Sequence, residues 1–314
     1  MRKPSRDTSE ATAAILAALL CFSVGPIFIK YLTGYVDLWT QNLLRYVAAC
    51  LFWLPFLLWS MRTGRLDGRV WKVALIPAVA NVILQSFWAG AFYYLDPAMM
   101  ELIVKSSIIW IAGFSLVFFA DERRLVRSVR FWAGLALSAV GVAGVLMGRE
   151  DFGSQRSMTG MALALAAAFF WGFYVVFARM SFRNIDSRIG FGVISIYTVT
   201  GLGVLVLLFG DVSESFVMPA WPWASVVISG ISSIALSHVL YYAAMRRVGA
   251  TIPSLVLLTT PFAVLAISHV VYGEVLSRWQ LGFGVILLVG GALAIWSQGH
   301  LRSGGPIRTQ GPLR

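Results

Sequence analysis

Two stretches decide the fold: Ala98 to Glu122, AMMELIVKSSIIWIAGFSLVFFADE, and Ala250 to Glu274, ATIPSLVLLTTPFAVLAISHVVYGE. Both run from a short turn through one apolar segment to an acidic residue, over the same length. Neither alternates with period two, so each reads as a membrane-spanning helix and not as a barrel strand, which alternates lipid-facing and lumen-facing residues. A glycine-rich segment follows each, opening at Gly134 and Gly282, and the likeness extends upstream. Phe22-Ser23 and Lys30 align with Trp171-Gly172 and Arg179. The chain reads as one unit used twice.

A run of roughly 20 apolar residues crosses a hydrocarbon core of about 30 Å. That criterion marks ten spans: 11–32, 37–59, 71–94, 97–120, 131–148, 159–181, 189–209, 223–245, 250–272 and 279–298. The expected organisation is a five-helix repeat over 1–148, an external linker over 149–158, a second five-helix repeat over 159–298 and a tail over 299–314. Because five is odd, the second copy enters the membrane upside down, related to the first by a rotation of about 180° about an axis in the membrane plane. Inverted repeats allow a carrier to exchange the conformations of its halves and so move its opening from one side to the other.

Composition agrees. The residues are 59% hydrophobic and 12% charged, about half the charge of a soluble domain, and no stretch of soluble composition is long enough to fold separately. A net charge of +11 would suit nucleic acid if it formed a patch facing water. Instead, 19 of the 25 Lys and Arg fall at the termini and in alternate connections, as at Arg62 to Lys72 and Arg123 to Arg130. The opposite side holds Lys30, Arg149, Arg156 and Arg278, while Arg45 and Lys105 lie within spans. By the positive-inside rule both termini are cytoplasmic in a bacterial-type inner membrane, with lipid and not nucleic acid as the surrounding partner. Arg2, Lys3 and Arg6 ahead of an apolar run imitate a secretory signal, but the run is too long for one. Leu20 before Cys21 also fits poorly with a lipoprotein cleavage site, and Cys21 and Cys50 read as small buried residues.

Several of these features resemble the drug/metabolite transporter superfamily, in its ten-helix EamA-type branch. They are Asn42 and Arg45 opening the second span, Gly160 leading to Trp171-Gly172, and Ala250 through Pro261 to Glu274 followed by Gly282. The chain departs from that pattern at Ile109, which stands where the family often has a proline matching Pro261, with Lys105 one turn earlier. Lys105 together with many aromatic residues looks most like the amino-acid exporters of this family. The resemblance implies alternating access around a central cavity walled by spans 1, 3, 4, 6, 8 and 9, with spans 5 and 10 peripheral.

No enzyme signature is present: no HExxH, GxSxG, Walker loop or CxxC. His238, His269 and His300 lie on separate elements, so neither a metal site nor a cofactor is expected. Ionisable residues within a span cost about 2.5 to 3.5 kcal/mol and usually face protein or a wet cavity. Lys105 lies about 12 Å from the Pro97 end of its helix at 1.5 Å per residue, and Glu101 is one turn nearer that end on the same face. Asn81, Gln85 and Trp88 form one stripe of the third span, and His238 and Tyr242 share a face of the eighth. Trp171 and Tyr174 sit mid-membrane, away from the interfacial belt. These nine residues are the expected substrate-binding set.

Plainer readings stand beside each. Glu101 and Lys105 form a self-neutralising pair, the polar stripe satisfies helix contacts, and Trp171 is structural. Arg45 reads as a clamp, and Trp39, Trp53, Trp59, Trp71, Trp221 and Trp223 as belt anchors. Gly144 with Gly148, and Gly290 with Ala294, suit close helix contact, in a monomer or a homodimer. Pro26, Pro77, Pro253 and Pro261 are candidate hinges. The expected function is export of amino acids or related small amphiphilic metabolites. An exporter of cationic drugs would instead want an acidic aromatic cage, a channel would want a continuous polar pore, and a membrane-embedded enzyme would want a reactive constellation.

Overall fold

Hydrocarbon offers no hydrogen-bond partners, so a segment that crosses it must close its backbone bonds within itself. The computed structural model describes residues 6–148, 152–182, 185–248 and 251–303, and ten helical stretches among them are long and apolar enough to span a bilayer. They are α1 (Arg6–Leu32), α2 (Leu38–Arg62), α3 (Gly68–Ala91), α4 (Pro97–Phe118), α5 (Val129–Met147), α6 (Gln155–Ser181), α7 (Ser187–Phe209), α8 (opening at Ala220 and running through Ser237–Val248), α9 (Thr251–Leu257 and Thr260–Tyr272) and α10 (Arg278–Ser303).

Short polar side chains set the helix starts by accepting backbone N–H groups that have no partner within the helix. Asp37 accepts from Trp39 and Thr40 at α2, Asp67 from Arg69 at α3, Ser128 from Phe131 at α5, Ser154 from Ser157 at α6 and Asp186 from Arg188 at α7. Two expected boundaries move accordingly. The Asp67 cap starts α3 at Gly68 and not at 71, and the Ser154 cap draws residues 155–158 of the expected linker into α6.

The helices pair as two inverted copies should. α1 packs on α8 and α9, and α6 correspondingly on α3 and α4; α2 packs on α7, and α5 on α10. Exchanging each of these helices for the one five places along leaves this set of pairings unchanged. Leu207, Val270 and Leu51 lie on the outside, while Ser23, Thr40, Gln41 and Asn42 are fully buried, the reverse of a soluble protein.

Glycines fix the α5–α10 seam, and the contact is made within one chain. A Cβ on Gly290 would stand 2.5 Å from the backbone nitrogen of Ser138, and one on Gly134 would stand 2.7 Å from that of Ala294. Gly144 and Gly148 accommodate the rings of Phe283 and Trp279, and Trp279 Nε1 donates to the Gly144 carbonyl at 2.9 Å.

Three helices depart from regular geometry. α9 breaks after Leu257, where Pro261 has no N–H to give the Leu257 carbonyl, and the Thr260 hydroxyl donates to that carbonyl instead, at 2.6 Å. α4 breaks at the equivalent place without a proline: after Val104 the chain turns more tightly, with Ile108 N donating to Lys105 O at 3.2 Å and Ile109 N to Ser106 O at 3.0 Å. α8 widens into a π-helix over Gly230–Leu236. Trp53, expected in the interfacial belt, instead donates to the Ala235 carbonyl of that segment at 3.0 Å.

If the seam needs bare backbone, Gly290→Ala forces the two helices apart and should cost about 1 to 3 kcal/mol of stability, as overpacking does. Gly282→Ala, on the same helix with open space at its Cβ, should be neutral or slightly stabilising. Thermal unfolding of both variants in detergent checks the contrast, and equal midpoints would contradict it.

Candidate functional site

The departures from regular helix meet at one cavity of about 570 Å³. Lys105 at the break in α4, Leu257 and Leu258 at the break in α9, and Ser233 and Ile234 of the π-segment all line it. Backbone groups released from a helix are tolerated at membrane depth only beside protein or water, so the cavity and the breaks account for each other.

Seven of the nine expected residues line the cavity: Lys105, Glu101, Gln85, Trp88, Trp171, Tyr174 and His238. Asn81 does not. Its amide donates to the Tyr46 hydroxyl and to Thr198 Oγ1, both at 3.0 Å, and with 3% exposure it ties α2, α3 and α7 together behind the wall. The Tyr242 side chain lies outside the described residues. The walls also differ from the implied set, because α2 contributes Arg45 and Tyr46, α7 contributes Phe191, and α10 contributes Ala294 and Ile295. α10 reaches the cavity because Gly291 lets it approach both breaks, with Ile108 and Leu258 at 3.2 and 3.4 Å from where a Cβ would be.

The polar part of the wall is compact. Lys105 Nζ stands 3.3 Å from Glu101 Oε2, with side chains 20% and 5% exposed. Arg45 donates from Nε to Ser229 Oγ at 2.9 Å and from Nη2 to Ser233 Oγ at 3.2 Å, which makes it the expected clamp between α2 and α8. Its Nη1 has no partner. Aromatic rings form another part of the wall. Trp171 lies with ring centroids 6.5 Å from Trp88, 6.1 Å from Tyr174 and 6.2 Å from His238, and Phe22 and Phe191 flank that histidine at 5.2 and 5.1 Å. Offset and edge-on rings at such separations form a firm apolar surface.

The two ends of the cavity differ. At one, its lining reaches Phe182, Ile185 and Ser187 at the α6–α7 connection. At the other, the described lining stops at Ile29 and Trp88, and polar contacts close the space beyond. Glu274, just past α9, accepts from the backbone nitrogens of Ala98 and Met99 at the start of α4, both at 3.0 Å, and from the Ser268 hydroxyl. Lys30 donates to the Phe92 and Leu95 carbonyls at 3.1 and 3.0 Å and pairs with Asp96 at 3.2 Å. Tyr272 donates to the Ile27 carbonyl at 2.7 Å. Burial, with Asp96 nearby, raises the Glu274 carboxyl above the ordinary range against the opposing pull of its three donors. The repeat-equivalent acid, Glu122, pairs with Arg179 at 2.5 Å.

Sequence reading missed the part Arg45, Tyr46 and Phe191 play in the wall. The available signal was a lone arginine in an apolar span together with the unusual serine run at 225, 229, 232, 233 and 237.

A ten-helix bundle with inverted-repeat packing, broken helices and a polar-aromatic cavity is the architecture of a membrane transporter. The sequence profile of the EamA-like transporter family matches residues 10–147 and 158–297, and the chain belongs to that family. It is 27% identical over 227 residues to the uncharacterized transporter YdfC of Bacillus subtilis (strain 168), spanning 69% of this chain and 70% of that one. An uncharacterized transporter of Methanothermobacter thermautotrophicus is 26% identical over 201 residues, covering 63% of this chain and 56% of its own length. A crystal structure superposes with a TM-score of 0.64 over 91% of this chain and 97% of that chain at 21% identity, a likeness of fold.

Turning one of the two Glu274 acceptor oxygens into an amide donor sets it against a backbone N–H of α4 and should loosen the closed end. With Cys21 and Cys50 replaced and a reporter cysteine at Ile29, Glu274→Gln should raise labelling by an impermeant thiol reagent from the α1–α2 loop side. The rise should be roughly 2- to 30-fold, the size expected for losing a helix cap. Unchanged labelling would show that this carboxylate does not hold the end shut.

Proposed function

We propose that the protein exports amino acids or related small amphiphilic metabolites by alternating access. The observation that carries this reading is the Glu101–Lys105 pair, set at a helix break and sharing one cavity with an aromatic wall. A zwitterion entering a low-dielectric space loses hydration from both of its charges, and a carboxylate and an ammonium one helical turn apart can replace it. Without a substrate the two satisfy each other, so the empty site is tolerable in the membrane. Apolar substrate side chains would lie against Trp88 and Trp171, with Gln85 and His238 as further hydrogen-bond partners. A volume of about 570 Å³ falls in the range of small-molecule sites.

A cavity closed at one end supports a carrier over a channel. Lys105 and Arg45 in its lining weigh against cationic drugs, although the aromatic wall alone would suit them. With the arginine-rich connections on the cytoplasmic side, the form described here faces inward, and export would need Glu274 and Lys30 to let go in turn.

Uptake of labelled amino acids into proteoliposomes tests the reading, and no saturable transport of any amino acid would overturn it. Lys105→Ala should raise the apparent KM or abolish flux while expression stays near normal. Lys105→Arg should restore flux only in part, because a planar fork replaces an ammonium. Normal flux in Lys105→Ala, or full flux in the Glu101→Gln/Lys105→Met double variant, would reduce the pair to a structural one. For orientation, a cysteine at Arg127 should react only from the cytoplasm and one in the 149–158 loop only from outside.

A further inference from the structure

Among the described residues, the charged ones lining the cavity are Arg45, Glu101, Lys105 and Arg179. Three of these four are matched: Lys105 and Glu101 with each other at 3.3 Å, and Arg179 with Glu122 at 2.5 Å. Arg45 is not. It is 2% exposed, both of its side-chain partners are neutral serine hydroxyls, its Nη1 has no acceptor, and no ion pair among the described residues includes it. A buried guanidinium left without a counter-charge is among the costliest arrangements in a membrane interior, and hydroxyl contacts alone do not remove that cost.

Its position is nevertheless tightly held. A Cβ on Gly230 would collide with the Arg45 carbonyl, and one on Gly25 would stand 2.7 Å from the Ser233 Cβ, so α8 lies hard against α2 at the Arg45 backbone and against α1 at Ser233, which fixes the base of the arginine and one of its two hydroxyl partners. Ser229 and Ser233 grip it from the two ends of the first turn of the π-segment, and π-segments recur at functional sites. A rigid planar fork with a spare N–H edge is suited to a carboxylate or another oxyanion, and holding it in place beforehand lowers the entropy lost on binding.

We propose that Arg45 is the seat for an oxyanion of the solute, so that the cavity selects amphiphiles bearing a carboxylate or phosphate over cations that lack one. The missing counter-charge then arrives with the cargo. This inference rests on the transport reading of the same cavity and narrows its substrate class. The Glu101–Lys105 pair handles the rest of the polar head, and Glu101 is the acceptor available to an ammonium.

The test is isothermal titration of the full chain in detergent with L-phenylalanine, L-phenylalaninamide, 3-phenylpropionate and phenyl phosphate. Wild type should bind the two carboxylates, or the phosphate, more tightly than the amide. Arg45→Gln should weaken the anionic probes by roughly 10- to 100-fold, the worth of a charge-assisted hydrogen bond, and leave the amide within about twofold. Arg45→Lys should recover part of the loss. Equal weakening of every probe, or none, would assign Arg45 a purely structural role and overturn the proposal while leaving amino-acid export standing. Binding of phenyl phosphate or phenylpropionate without any amino acid would support the anion seat and overturn the amino-acid reading. If Arg45→Gln does not fold, the wild-type ranking decides, because preference for the amide, or binding of no anionic probe, overturns the proposal.

Discussion

In a bilayer, a broken helix and a charged side chain share one requirement: each must face protein or water, because lipid satisfies neither. The breaks in α4 and α9, the π-segment of α8, Arg45 and the Glu101–Lys105 pair all meet that requirement at the same cavity. Filling the space with apolar side chains would strand released carbonyls and charges. Closing the breaks would remove the geometry that sets Lys105 at the end of its half-helix. Cavity and broken helices therefore form a single arrangement.

The repeat determines where these liabilities fall. α4 and α9 occupy equivalent positions and break at equivalent residues, although only α9 has a proline there. In α4 the turn after Val104 tightens through bonds three residues back, next to the Lys105 side chain. Both breaks lie beside Gly291 of α10, which has Ile108 on one side and Leu258 on the other. Proline makes such a break easier but is not its sole cause.

The bundle combines a firm part with a releasable one. Along α5 and α10, backbone meets backbone and rings lie on glycines, a contact that cannot slide without loss of packing. At the closed end the fastening is a handful of polar contacts: one carboxylate on two N–H groups, one ammonium on two carbonyls, and a tyrosine on another. Contacts of this kind each contribute about 1 to 3 kcal/mol net and exchange readily for water, so this end is fastened less firmly than the α5–α10 seam.

Much of this was legible in the sequence because membrane constraints act locally. Ten apolar runs, alternation of arginine between the two sides, and two matched stretches ending at Glu122 and Glu274 specify ten helices in two copies, and Lys105, Glu101, Trp88 and Trp171 stand out as residues with reason to avoid lipid. What needed the tertiary structure was which polar residues face the cavity and which satisfy one another. Asn81 and Gln85 lie on the same stripe, yet Asn81 is consumed by Tyr46 and Thr198 while Gln85 reaches the wall. Trp53 serves the π-segment and not the interface, and Arg45, a clamp by its position in the chain, has a nitrogen with no partner. Helical spacing gives the face a residue occupies but not what packs against it, and a hydrogen-bond partner more than a hundred residues away along the chain is settled only when the helices are brought together.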